Sequence, residues 1–318
     1  MKEAKRIVSF LPSATEMVYA LGLEERLAGV THECDFPPAA MTKPVVVRSV
    51  LPVEEMSQNE IDVAVTARLR NGESLYQVNE ALMRTIAPDL IVTQDLCQVC
   101  APSGNEVTKV LAALKSKPEI LFLTPRTLGE MFGNITALGR ETGTERRAAE
   151  LIASLQGRVD AVETRARTAT SRPRVFCMEW LDPVYCSGHW VPEMVRIAGG
   201  EDSLGRLGTD SVRIAWDDVR DWAPEILLVM PCGFHLADVL GTMGSIFRRE
   251  GWAEIPAVKN HRLYAVDASS YFARPGPRLV DGVELLAHLI HPELFDWKGP
   301  ADAFSHVELV QMPSLLPQ

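Results

Sequence analysis

Apolar positions along the chain fall into short unbroken runs separated by longer stretches of helical spacing. The runs at 7–10 (IVSF), 27–30 (LAGV), 45–47 (VVV), 90–93 (LIVT) and 120–123 (ILFL) do not alternate with polar residues. Such runs predict strands buried on both faces of a parallel sheet, and the helical stretches between them give a βαβ rhythm. Ser13 with Glu16 three residues on predicts a capping box for the first helix, and Gly22 its end. Residues 56–87 hold two more helical stretches with Gly72 between them. From 144 to 167 one stripe carries Ala148, Leu151, Ile152, Leu155, Val159 and Val162, predicting a straight helix of roughly 36 Å at 1.5 Å per residue. After Ser171-Arg172-Pro173 the strand runs resume at 175–178, 184–186, 226–230 and 263–266, and a last helix spans about 278–290. The Pro-rich, weakly patterned residues 299–318 read as a tail.

The chain says something similar twice. RIVSFLPSATEMVYALG opens one unit and RVFCMEW…YCSGHWVPEMVRIAGGED a second, and APDLIVTQ (87–94) is matched by APEILLVM (223–230). The expected fold is α/β: two Rossmann-like lobes with parallel-rich sheets joined by a long backbone helix. The lobes take 1–126 and 171–298, with 127–170 as the connecting helical segment and 299–318 as the tail. Two lobes of one plan imply a ligand cleft between them.

Charge and size narrow the class. A formal net charge of −10 and no basic run argue against a nucleic-acid partner, and 318 residues suffice for two cores. No stretch reaches membrane-spanning length. The N-terminus MKEAKRIVSFLPSATE shows neither an apolar h-region nor a cleavage site, so the expectation is a cytoplasmic monomer, periplasmic only if the chain is a trimmed mature form. The six cysteines, Cys34, Cys97, Cys100, Cys177, Cys186 and Cys232, are then expected as thiols or ligands.

The order LPSATE, GVTHECDFPP, PDLIV, long helix, SGHWVPEMVRIAGGED resembles the helical-backbone class (class III, Fe/B12 type) of ABC-transporter solute-binding proteins. It is most like the cobalamin-binding branch, over about residues 6–292. The resemblance implies a non-enzymatic binder of cobalamin, a related corrinoid or a similar metal chelate. Where that branch packs aromatic side chains on the corrin, this chain has Glu33 after His32, Gln94 closing the PDLIVT strand, Glu179 beside Trp180, and Tyr271 in SSYFARPGPR, with Arg274 flanking the turn. The resemblance also implies an ABC permease partner docked through one acidic residue per lobe. These positions fall on Asp217 and on Ala81, with Glu80 one residue away.

The residues themselves leave a second chemistry open. His32-Glu33-Cys34, Cys97-x-x-Cys100, Cys186-x-x-His189 and Cys232-x-x-His235 all follow strands, at spacings that let paired side chains reach one ion. Converging, they would suit zinc or iron, either bare in a cytosolic metal carrier or metalloenzyme, or within a chelate. Cysteine is also often simply buried, and mid-strand Cys177 reads that way. Trp180, Trp190 and Tyr271 could stack on a ligand or pack in the core. The helix after Cys97-x-x-Cys100 starts too late for a thioredoxin-type motif, and no GxGxxG, P-loop, HExxH or GxSxG is present.

Overall fold

The computed structural model describes residues 3–94 and 117–307, together with 111 and 114. By their contacts the residues separate into two compact units, Met1–Pro125 with Gly129–Ser154, and Arg126–Leu128 with Leu155–Gln318. Residues 127–170, expected as a connector, are shared between them.

The first unit runs β1 (Ile7–Ser9), α1 (Pro12–Ala20), β2 (Leu27–Thr31), β3 (Val45–Ser49), α2 (Gln58–Arg70), β4 (Tyr76–Val78), α3 (Glu80–Ile86), β5 (Leu90–Thr93) and β6 (Glu119–Phe122). Helices α4 (Leu128–Thr142) and α5 (Glu145–Ala166) follow. The sheet order is β4-β3-β2-β1-β5-β6, parallel except where β4 meets β3. The expected strands are present, displaced at their ends by a residue or two, and β4 is added.

The capping box expected at Ser13 and Glu16 is corrected. Pro12 fixes its own φ and forces the residue before it into an extended conformation, so Leu11 (φ −149°, ψ 144°) takes the cap position and Pro12 the first turn. The same S-x-x-E signature is realised at Ser57 and Glu60, where Ser57 Oγ accepts from the Glu60 N–H at 3.3 Å and Glu60 Oε2 from the Ser57 N–H at 2.8 Å. Gly22 ends α1 as expected, at φ +67°.

The second unit runs β7 (Val175–Leu181), β8 (Val184–Cys186), β9 (Gly188–His189), α6 (Val191–Ile197), β10 (Arg206–Leu207), α7 (Trp216–Trp222), β11 (Ile226–Val229) and α8 (Leu236–Thr242). It closes with α9 (Pro256–Lys259), β12 (Leu263–Val266), α10 (Ala268–Tyr271), α11 (Leu279–Ile290) and β13 (Phe304–His306). Its main sheet, β13-β12-β11-β7-β8, has three parallel strands with an antiparallel one on each edge. The tail is therefore corrected in part. Phe304–His306 pairs with Tyr264–Val266, and Val307 is buried. Three residues with one apolar side chain give no period to read, and pairing with β12 decides their state.

The repeated phrase has a structural task in each unit. Ala87 (φ 47°) ends α3 and Ala223 (φ 50°) ends α7, both left-handed, both before proline. The acid that follows binds the start of the neighbouring strand. Asp89 accepts from the N–H groups of Lys5 (3.0 Å) and Arg6 (2.8 Å), and Glu225 accepts from the Arg174 N–H (3.0 Å).

In α5, Ala148, Leu155, Val159, Val162 and Ala166 are buried, while Leu151 and Ile152 are only partly so. Within the second unit, Arg158 holds α11 by a forked contact, to Glu284 at 2.9 and 2.6 Å and to Asp281 at 2.5 Å. With these side chains about one-third exposed, replacing Arg158 by Ala should cost about 1–2 kcal/mol. In urea the unfolding midpoint should fall at constant slope. Arg158→Lys should recover less than half, because an ammonium cannot reproduce the fork; an unchanged midpoint in both would contradict the assignment.

Candidate functional site

In an open α/β sheet, ligands favour the carboxyl ends of the strands at the point where the chain's winding reverses. In the second unit that point lies between β7 and β11, since β8 continues on one side of β7 and β11 and β12 on the other. The ends of β7 and β11 are tied together, Met230 N–H to Met178 O at 2.9 Å and Cys232 N–H to Glu179 O at 3.2 Å. Just beyond, Trp180 meets Phe234 edge to face, ring centroids 5.6 Å apart. The Trp180 indole N–H is buried and has no hydrogen-bond partner among the described residues.

His235 caps α8, and its Nδ1 lies 3.0 and 3.1 Å from the Asp267 carboxylate oxygens. Asp267 also caps α10, accepting from Ser270 N–H and Oγ–H at 2.8 and 2.9 Å. Burial acts to raise the Asp267 pKa, but the hydrogen bonds from His235 and Ser270 win and hold it below its ordinary value. An ionised carboxylate beside Nδ1 favours the tautomer with its proton there and orients the ring.

Beside this loop cluster, β9 is held by two carboxylates that outweigh its length. Glu179 Oε1 accepts from the Gly188 N–H at 3.0 Å, and Ser211 bonds the same side chain. Asp202 accepts from Ser187 Oγ–H at 2.6 Å and from the Gly205 N–H at 2.9 Å. Burial pushes Glu179 up to about 7, the nearby Asp202 adding to it against the Gly188 and Ser211 bonds. Burial likewise lifts Asp202 to about 6, against its bonds from Ser187 and backbone. Gly188 has to be glycine here: an added Cβ would sit 2.9 Å from the Thr209 oxygen and the Asp210 carbonyl carbon. Sequence reasoning found Glu179 but missed Asp202, Ser187 and Ser211, which have no fixed spacing and meet only through the β9–β10 pairing.

The other expected residues divide. His189, left-handed at φ 50°, places Nε2 3.0 Å from Asp210 and stacks on Trp190 at 5.3 Å; burial lowers its pKa against the pull of Asp210. Trp190 is 5% exposed and gives its N–H to Phe272 O, and Tyr271 is 7% exposed against the edge of Trp297. These two rings pack in the protein interior. Burial, with Asp267 and Asp281 nearby, pushes the Tyr271 phenol to about 12. Arg274 is half-buried. Of the four soft ligands expected in this unit, Cys186 is sealed in the core, its thiol raised by burial, and Cys232 is exposed. Among the described residues no group of three or more His, Cys, Asp or Glu is arranged to hold a metal ion. Cys97 and Cys100 lie outside the described residues.

In the first unit the winding reverses between β1 and β5. The strand ends there are polar yet buried: Ser9, Thr31, Thr93 and Gln94. His32 follows β2 with Nδ1 buried and unpartnered among the described residues, and Nε2 3.9 Å from the exposed Glu33. Cys34 is a buried thiol between the hydroxyls of Thr15 (3.1 Å) and Thr31 (3.3 Å). Glu80 and Asp217 occupy the first turns of the equivalent helices α3 and α7, exposed and paired with Arg84 at 2.8 Å and Arg220 at 3.4 Å.

Comparison with known proteins places this arrangement. An uncharacterized ABC transporter substrate-binding lipoprotein, YvrC of Bacillus subtilis, is 28% identical over 299 residues, covering 92% of this chain and 82% of that protein. A vitamin B12-binding protein of Vibrio cholerae is 25% identical over 285 residues, covering 88% and 87%. Among solved structures, the periplasmic vitamin B12 binding protein BtuF of Vibrio cholerae aligns with a TM-score of 0.66 at 23% identity, covering 91% of this chain and 97% of that one. A periplasmic heme-binding protein from Pseudomonas aeruginosa reaches 0.70 at 18%, covering 92% and 94%. The α/β architecture expected from the strand runs is that of these structures. The cytoplasmic placement is overturned, because the relatives are periplasmic or lipoprotein substrate-binding proteins. No helix among the described residues is long and apolar enough to cross a membrane. A profile described as "Periplasmic binding protein" matches residues 7–269, and the chain belongs to that family.

Proposed function

We propose that the chain is a non-enzymatic substrate-binding protein that captures a corrinoid, or a related planar metal chelate, and delivers it to an ABC permease. The observation that carries this reading is the loop cluster at the β7–β11 reversal: an aromatic pair, Trp180 and Phe234, beside an imidazole fixed through Nδ1 by Asp267. A flat macrocycle offers π-faces to the rings, and an imidazole held in place by a carboxylate is a group that a central metal can take as a ligand. Relatives include proteins named for vitamin B12 and, by fold, for haem.

The polar residues favour the corrinoid. In the second unit Glu179 stands where the resemblance puts an aromatic side chain, and it is an acceptor to which an amide-bearing corrin edge would donate. We assign Arg274 as a further polar contact of that unit, and His32, Glu33 and Gln94 as the polar contacts of the first unit. Glu80 and Asp217, exposed on matching helices, supply the acids that would meet the permease.

Titration with cyanocobalamin, dicyanocobinamide and haem should give a visible-band shift and tryptophan quenching with the corrinoids first. Trp180→Ala should weaken binding about tenfold, and His235→Ala should remove the band shift that reports metal ligation. No spectral change and no thermal stabilisation with any of the three would end the chelate reading.

Glu179 gives a pH signature of its own. Between its ordinary value of 4.5 and about 7, the folded chain holds a proton that the unfolded chain has released. Stability from this group is therefore full below about 4.5 and is lost as pH rises through about 7. Glu179→Gln keeps a neutral acceptor for the Gly188 N–H. In urea melts it should reduce the loss of stability between pH 5 and pH 8 by about 2 kcal/mol; an unchanged pH profile would place the titration elsewhere.

A further inference from the structure

A hollow of about 270 Å³ lies in the second unit, where the carboxyl ends of α5 and α6 come together. Its lining includes Arg167, Arg172 and Arg196, one carboxylate, Glu163, and the chain at Ala169 and Gly199. The carboxylate is already shared: Oε1 accepts from Arg196 Nη1 at 3.0 Å, and Oε2 lies 3.1 Å from Arg167 Nη2. These two guanidiniums hold the Glu163 pKa below its ordinary value, Arg196 foremost. Among the described residues Arg172 reaches backbone, with Nη2 at 3.3 Å from Arg196 O and 3.5 Å from Gly200 O.

Two guanidiniums therefore share one carboxylate and a third lies on backbone carbonyls in the same lining, in a chain whose formal charge is −10. Helix ends account for part of this: Arg172 caps the carboxyl end of α6 at Arg196 O and Gly200 O, and the partial negative charge of helix carboxyl ends favours nearby cations. Glu163 is nevertheless the one full negative charge in the lining. Each guanidinium is a planar fork of donors that matches a tetrahedral oxyanion, and like charges gathered around a hollow repel until an anion enters. The volume exceeds what a bare ion needs and admits a phosphate with a substituent.

We propose that this hollow binds a phosphate-bearing small anion through Arg167, Arg172 and Arg196, at a site separate from the loops at the strand ends. The chemistry is that of a phosphate mono- or diester, which a soluble phosphate compound or a lipid headgroup would equally supply.

The test uses the full chain at low salt. Calorimetric titration with inorganic pyrophosphate should show one site. Arg172→Gln combined with Arg196→Gln should weaken it at least about tenfold. Glu163→Gln, which frees two guanidiniums, should tighten it about threefold or more. That opposite sign is not something a folding defect produces, and Arg165→Gln controls for the loss of one charge outside the hollow. Co-sedimentation with phosphatidylglycerol vesicles, but not phosphatidylcholine, lost in the double variant, would support the proposal with a lipid as the source. Pyrophosphate binding lost in the double variant, without vesicle binding, would support a soluble source. Binding of neither, or binding indifferent to all three substitutions, overturns it.

Discussion

The arrangement of both sheets rests on a carboxylate that grips the first residues of a neighbouring strand. Asp89 binds the N–H groups of Lys5 and Arg6 just before β1, and Glu225 binds that of Arg174 just before β7. In each unit the clamp joins the two strands between which the winding reverses, β1 with β5 and β7 with β11. A parallel pair has no hairpin to set its register, and a slip by one residue would turn every side chain to the other face. Charge-assisted bonds at the amino ends fix the register there, and so determine which residues emerge at the carboxyl ends.

The carboxyl ends carry the cost of that placement. Buried carboxylates are expensive unless hydrogen-bonded, and Glu179 and Asp202 are satisfied by five bonds, from Ser187, Gly188, Leu204, Gly205 and Ser211. Their raised pKa values show that the bonds only partly offset burial. The left-handed backbone at His189 is the local consequence, since two parallel ladder steps to Arg206 and Leu207 and the bond to Asp210 hold it there. A short strand with almost no apolar content is kept in place by these polar contacts and by the stacking of His189 on Trp190.

Much of the fold could be read from the chain because its strands are buried on both faces. Continuous runs such as LIVT at 90–93 and LYAV at 263–266 have the stated bounds in the structure. The duplication was legible too, through APDLIVT and APEILLV, although the sequence did not disclose that their acids clamp strands. What escaped reading depends on partners distant in the chain: β13 exists only against β12, and β9 only against β10. At the candidate site, spacing located Cys232 and His235, since strand ends are visible as the close of an apolar run, while Trp180 came from the family resemblance. The partner that orients His235, Asp267, lies 32 residues on, and no local period announces it.

Spacing was least informative for the cysteines, because CxxC and CxxH report reach along the chain and nothing about burial. Cys186 ends β8 three residues before His189 ends β9, yet the thiol is packed in a core with Phe176, Met178 and Leu227 while the imidazole meets Asp210. A thiol in that setting has its pKa raised, which withdraws the thiolate that metal binding requires. His235 differs in each respect: it is partly exposed, its Nδ1 is occupied by a carboxylate, and its neighbours Trp180 and Phe234 are flat. Among the described residues His235 joins no group of His, Cys, Asp or Glu arranged to hold a bare ion, and its flat neighbours are what the chelate reading proposed above rests on.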